Sequence, residues 1–298
     1  MAIVQARPAR VLCLFRLRRT IRNVLAACVL HVAAGAQVPG QAAVDAALRN
    51  TQASAVVLDV TTGNTLARYG GSANALPGST LKPFLLAAAL QKGIVTATTT
   101  VSCRGGLKLD GRNLACTHPR EMTVFAAQDA LAYSCNTWFA QLADHMTPIV
   151  LSDALRSYGF RVGGRADSRS ERVLLTLGLA GVHTSAEELA AAYRRLAVQM
   201  SEAPQTSGLR VVEAGLVGSV RYGMAHEAAV DGVSLAGKTG TASEAGQAWT
   251  HGWFAGIVYA SAKGKPMAVL VVFVPRGSGA DAAGLARRIL EVEKDRAE

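Results

Sequence analysis

The sequence predicts an α+β domain: an antiparallel sheet flanked by two terminal helices, with a helical lobe inserted between its strands. Three observations carry this. Segments of strand length, alternating or continuously apolar, sit near both ends of the 298-residue chain, around 55–69 and 235–275. The stretch between them keeps helical period and helix-start signals. Helical patterns at 41–50 and 281–294 bracket the strands from outside.

Taken in order, 41–50 (QAAVDAALRN) suits an amphipathic helix. Ala55 to Val60 reads as a strand, Thr61-Thr62-Gly63-Asn64 as a turn, and Thr65 to Tyr69 as the returning strand. Pro77-Gly78 breaks the chain. Ser79 is then expected to N-cap a helix reaching Gln91, with Gly93 just past its end. Residues 123–145 read as helical, centred on Tyr133 to Leu142. Thr184-Ser185-Ala186-Glu187 has the capping-box pattern and opens a helix to about Met200. Leu235 to Ala242, Gly252 to Tyr259 and Met267 to Pro275 are three strands of one sheet. Asp281 to Lys294 is the closing helix. This gives a sheet lobe from 40–78 and 233–298 and a helical lobe from 79–232, with the cleft between them as the expected site.

Composition bounds the function. Half the residues are hydrophobic and 17% are charged, which fits a folded core rather than a disordered chain. No uninterrupted apolar run reaches the roughly 18 residues of a membrane span. The net charge of +10 is concentrated at one end: residues 1–36 hold six Arg and no acid, and the remainder is near neutral. That removes the electrostatic case for nucleic-acid binding.

Those first 36 residues read as an export signal. A basic segment is followed by the mostly apolar Val24 to Val32 and then by Ala34-Gly35-Ala36 at cleavage-site spacing. Processing by cleavage, an uncleaved anchor, and a lipoprotein box at Cys28 are the alternatives. All place residues 37–298, one domain, in the periplasm or at the cell surface. An oxidising compartment permits a disulfide. Cys103 and Cys116 flank a glycine-rich stretch suited to a hairpin and are the expected pair, leaving Cys135 as the odd thiol.

Three motifs carry chemistry. In Ser79-Thr80-Leu81-Lys82 the Ser and Lys share a helix face, so a Lys with a lowered pKa can take the Ser proton. Of the seven Lys, Lys82 alone has a Ser three positions before it. In Ser134-Cys135-Asn136, hydroxyl and amide face one way only in a loop, where they can relay a proton and bind a substrate amide. In Lys238-Thr239-Gly240-Thr241, a cation and two hydroxyls on a strand can hold a carboxylate, and Gly240 would let substrate backbone approach closely. Alone, each has a plain structural reading: an N-cap beside a surface Lys, a helix interior, an edge strand. Together they form a rare ordered triple, with Ser134 lying 55 residues after Ser79 and Lys238 lying 104 after Ser134.

On these residues the chain resembles the transpeptidase domain of penicillin-binding proteins, within the penicillin-recognising serine acyltransferase superfamily. Leu76-Pro77-Gly78 before Ser79, Thr137-Trp138-Phe139 after Asn136, and Gly252-Trp253-Phe254-Ala255-Gly256 are similar as well, and the resemblance covers about 54–275. It implies a β-lactamase/transpeptidase-like fold and a D,D-transpeptidase or D,D-carboxypeptidase acting on D-Ala-D-Ala stem peptides of peptidoglycan. It implies Ser79 as the acylated nucleophile, Lys82 as its activator and Ser134 as proton relay. Asn136 would bind the donor amide. Lys238, Thr239 and Thr241 would hold the terminal carboxylate, and the backbone N–H groups of Ser79 and Thr241 would form the oxyanion hole. β-Lactams would act as inhibitors and cell-wall assembly proteins as partners.

Two other functions stay open at this point. A β-lactamase needs a second base for hydrolysis. No Asn follows Asn136 to pair with a catalytic Glu, and Glu171 is the one acid near the right distance. A β-lactam or peptidoglycan sensor would keep the same motifs. No cofactor loop is present, and the histidines after residue 36 (His118, His145, His183, His226, His251) show no metal-ligand spacing, so no metal is expected.

Overall fold

In chain order, α1 (Gln41–Leu48) precedes the hairpin of β1 (Ser54–Asp59) and β2 (Thr65–Tyr69). A 3-10 turn at Gly78–Leu81 runs into α2 (Lys82–Gln91). Four short strands follow: β3 (Val101–Ser102), β4 (Gly106–Leu109), β5 (Arg112–Ala115) and β6 (Val124–Phe125). Then come α3 (Ala127–Ala132), α4 (Asn136–His145), α5 (Pro148–Ser157), α6 (Arg169–Thr176), α7 (Ala186–Glu202) and α8 (Gly208–Arg221). β7 (Ser234–Ala242), β8 (His251–Tyr259), β9 (Pro266–Val274) and α9 (Gly279–Asp295) complete the order. This computed structural model describes residues 38–296. The export-signal segment, residues 1–36, lies outside the described residues. Among the described residues no helix is long and apolar enough to cross a membrane.

The five long strands form one antiparallel sheet in the order β2-β1-β9-β8-β7. The α+β expectation therefore holds, with the N-terminal hairpin joined edge to edge to the three C-terminal strands through β1 and β9. Period-2 alternation sorts the side chains onto two cores. Ala55, Val57, Leu270, Val272 and Phe254 pack with Val44 and Leu48 of α1 and Ile289 and Leu290 of α9. Val56, Leu58, Val271 and Ile257 face the other way, against Leu189, Tyr193 and Leu196 of α7 and the helical lobe. With both faces covered, every residue of β8 is buried, which is why β8 and β9 read as apolar runs.

Local signals explain the lobe and correct three expectations. The capping box sits one residue later than expected. Ser185 accepts from Glu188 N, and Glu188 returns the bond to Ser185 N, while Thr184 instead pairs its backbone with Ala75. The 123–145 helix is split: α3 ends at Ala132, and α4 restarts at Asn136 after a turn in which Ser134 has φ 56°. Ser79 is not an N-cap; it lies inside the 3-10 turn, one turn ahead of α2, and makes no capping bond.

Candidate active site

The 3-10 turn at Gly78–Leu81 rests on β7 with almost no gap. Gly78 has φ +55°, and a Cβ there would stand 2.8 Å from Thr241 O and 2.9 Å from Thr241 N. A Cβ on Gly240 would collide with Pro77 O. Two glycines therefore let Pro77 and Gly78, the residues just before Ser79, rest on the backbone of Gly240 and Thr241. The expectation for Gly240 changes accordingly: the backbone it admits belongs to Pro77 of the same chain.

The segment leading to Ser79 is held on every side. Leu76 O accepts from His251 Nε2 at 2.8 Å and from Trp253 Nε1 at 3.0 Å, both on β8. Leu76 N donates to Glu244 Oε1 at 2.9 Å, whose other oxygen pairs with His183 at 3.0 Å. Gly78 N donates to Gly178 O, and Tyr193 Oη donates to Thr80 O at 3.1 Å. These positioning residues carry no local motif. Only the Gly252-Trp253-Phe254 stretch hinted at them, and two histidines that sequence spacing left unassigned serve here.

Lys82, with no exposed surface, is the hub. Its Nζ donates to Ser134 O at 2.8 Å, Ser134 Oγ at 3.1 Å and Asn136 Oδ1 at 2.7 Å. All three ammonium protons are thus directed at the Ser134–Asn136 turn. Burial pushes Lys82 down to about 8, against the opposing pull of the Cys135 and Cys116 sulfurs. The positive φ of Ser134 is what turns both its carbonyl and its hydroxyl toward Lys82; a non-glycine residue held there marks a strained, purposeful turn. Asn136 Nδ2 is anchored to Ala115 O at 2.8 Å, which leaves its oxygen aimed at Lys82.

Lys238 is fully buried on β7, with Nζ donating to Thr239 O at 3.1 Å. Burial lowers its pKa well below the usual lysine range, and the charge of Lys82 adds to this. Thr239 Oγ1 donates to Met224 O at 3.2 Å, so that hydroxyl is tied to the protein. Thr241 Oγ1 accepts from Gly279 N at 2.9 Å. All three motifs thus converge where the 3-10 turn, the α3–α4 turn and β7 meet.

Glu171 is elsewhere. It is the third residue of α6, where its carboxylate caps Ser168 N at 2.8 Å in a capping box. The Ser168 backbone holds its pKa below the usual value.

Cys103 and Cys116 flank the β4–β5 hairpin as the spacing suggested, yet the expected disulfide is not formed. Both are free thiols, with sulfurs 3.6 Å apart. Cys135 and His118 reach the same place, so that all four ligand atoms lie within 4.8 Å of one another. Cys135 donates to Cys116, which holds Cys116 down to about 4 and Cys135 well above the usual thiol value.

Comparison with known proteins agrees with this geometry. No curated protein matches the sequence. Among solved structures, the transpeptidase domain of penicillin-binding protein 3 from Burkholderia pseudomallei superposes with a TM-score of 0.71 at 22% identity. That match covers 88% of this chain and 96% of the other. The D,D-transpeptidase domain of a peptidoglycan glycosyltransferase from Eggerthella lenta gives 0.70 at 20% identity, covering 86% and 81%. A chain of a peptidoglycan synthase complex gives 0.70 at 20% identity, covering 86% and 59%. At these identities the likeness establishes the fold. The family description of the penicillin binding protein transpeptidase domain matches residues 53–291, so the chain belongs to that family.

Proposed function

We propose that this protein is a serine D,D-acyltransferase of the cell wall, exported across the membrane, that opens the D-Ala-D-Ala bond of peptidoglycan stem peptides and is acylated by β-lactams. Ser79 Oγ attacks the carbonyl of the penultimate D-Ala. Its proton passes to neutral Lys82, whose pKa of about 8 makes that form accessible near neutral pH. The oxyanion forms between the N–H groups of Ser79 and Thr241, each of which directly follows one of the two glycines at the close contact. The C–N bond then breaks. The departing D-Ala amine takes its proton from Ser134 Oγ, which is replenished by Lys82 at 3.1 Å. Asn136 binds the donor amide, and Lys238 and Thr241 receive the terminal carboxylate, while the Thr239 hydroxyl stays on Met224 O. The acyl-enzyme is released to an amine of a second stem peptide or to water.

The observation that carries this reading is the three-way bond from buried Lys82 to Ser134 and Asn136, beside the Gly78–Thr241 contact. The resemblance of the fold to a chain of a peptidoglycan synthase complex favours cell-wall proteins as partners. The test is incubation of the purified protein with a D-Ala-D-Ala peptide, following D-Ala release and cross-linked product together. Release with product assigns transpeptidation, and release alone assigns carboxypeptidation. Neither product, together with no penicillin adduct on Ser79, overturns the reading.

A further inference from the structure

We propose that Cys103, Cys116, His118 and Cys135 bind one zinc ion in a closed tetrahedral site that clamps the β4–β5 hairpin to the Ser134–Asn136 turn. The four ligand atoms lie within 4.8 Å of one another. With Zn–S bonds of about 2.3 Å, a tetrahedral site needs sulfurs roughly 3.8 Å apart; Cys103 and Cys116 stand at 3.6 Å. His118 Nε2 is 3.2 Å from Cys103 Sγ. Its other nitrogen, Nδ1, is 3.0 Å from Pro119 O. A carbonyl only accepts, so Nδ1 carries the proton and Nε2 presents its lone pair to the sulfurs. This is the arrangement of a zinc-ligating histidine whose far nitrogen is fixed by a backbone carbonyl.

The donor set selects the metal. Three thiolates and one imidazole with no open position suit structural zinc rather than a hard cation. Cys103, Cys135 and His118 are buried, so exchange with solvent is slow. The thiol protons leave to solvent on binding, and no electron is transferred. The surroundings give the ion a task. β3–β6 and β4–β5 are two-stranded ribbons, which are marginal on their own. Asn136 N donates to Cys116 Sγ at 3.2 Å, and Asn136 Nδ2 donates to Ala115 O, so the hairpin positions the amide that Lys82 contacts.

The test uses the full chain, purified without chelator or reductant. Native mass spectrometry and elemental analysis should give one zinc per chain, with the three thiols resistant to alkylation until a chelator removes the metal. Cobalt exchanged into the site should show thiolate charge-transfer and tetrahedral ligand-field bands. His118→Ala should weaken zinc binding by at least about 10²-fold, since even partners behind a ligand are worth up to that much; His118→Cys should retain the ion. Penicillin acylation, whose use here rests on the proposed function, should slow at least about 10-fold on zinc removal and recover on its return. A Cys103–Cys116 disulfide in a non-reducing peptide map, or rapid alkylation of all three thiols in metal-free protein that acylates at full rate, would overturn the site. Bound zinc in a protein that penicillin never acylates would instead reject the acyltransferase reading and leave the site standing.

Discussion

Lys82 Nζ donates to Asn136 Oδ1 at 2.7 Å, the shortest of its three hydrogen bonds. This contact joins two of the three motifs, and through Asn136 Nδ2 on Ala115 O it extends to the hairpin. A charged Lys82 satisfies all three acceptors. To accept the Ser79 proton it must first lose one of its own, and burial is what makes that loss affordable.

The first prediction is a pH profile. Burial lowers the Lys82 pKa from 10.5 to about 8, so the neutral form gains population as pH rises through that value. The second-order rate of penicillin acylation should climb about tenfold per unit below pH 8 and level above it. Lys82→Arg, a cation that cannot deprotonate, should lower the rate by at least about 10²-fold across the range. A flat profile between pH 6 and 9 would remove Lys82 from the role of base.

The second prediction concerns Gly240. An added Cβ meets Pro77 O and stands 3.0 Å from Thr80 Cγ2. Backbone cannot yield as a side-chain tip does, so the 3-10 turn must move away from β7. Gly240→Ala should lower acylation by about 10²-fold or more, the weight of one displaced oxyanion-hole donor. Intact mass spectrometry over time measures this. Circular dichroism should show the fold retained, because the sheet itself is untouched.

Much of this was legible in the sequence, and the reasons differ by element. The sheet was readable because β8 and β9 are buried on both faces and β1 alternates between two cores. The motif residues were readable because Ser79, Ser134 and Lys238 sit in fixed order in distinct contexts. From periodicity alone the break at Ser134 was not, because a single αL residue between helix-forming segments leaves no period change. Nor was the ring of partners around Leu76. Glu244 lies 168 residues away and His251 lies 175, and only the tertiary fold brings such distant groups to one carbonyl and its neighbouring N–H. The cysteine cluster was half visible: the hairpin brought Cys103 and Cys116 together, while His118 and Cys135 needed coordinates.

The third prediction is one of stability. Tyr193 is fully buried, and its hydroxyl donates to Thr80 O at 3.1 Å. Tyr193→Phe keeps the ring against Phe84, at an edge-on centroid distance of 5.2 Å, and deletes the bond alone. The loss should be about 1 kcal/mol in denaturant unfolding, within the usual net worth of a hydrogen bond plus an unpaired carbonyl. Acylation should slow as well, since Thr80 follows the nucleophile directly. An unchanged midpoint would mean that the carbonyl finds another donor.

The last prediction is that the penicilloyl-enzyme persists. Opening the lactam needs Ser79, Lys82 and the oxyanion hole; hydrolysing the ester needs a further base holding water against it. Two carboxylates come into question, and both are committed. Glu171 caps α6, its carboxylate accepting from Ser168 N. Glu244 lies beside the nucleophile segment, but its two oxygens accept from Leu76 N and His183. Burial raises its pKa, and those bonds outweigh burial, so the carboxylate stays below its usual value and is a poor base. Nitrocefin should therefore give a stoichiometric burst followed by turnover slower than about once per minute, far under ordinary enzyme rates. Glu171→Gln and Glu244→Gln should each leave that slow phase within a few-fold of the parent protein. Turnover of tens per second, lost in either variant, would instead identify that acid as a hydrolytic base and make the protein a β-lactamase.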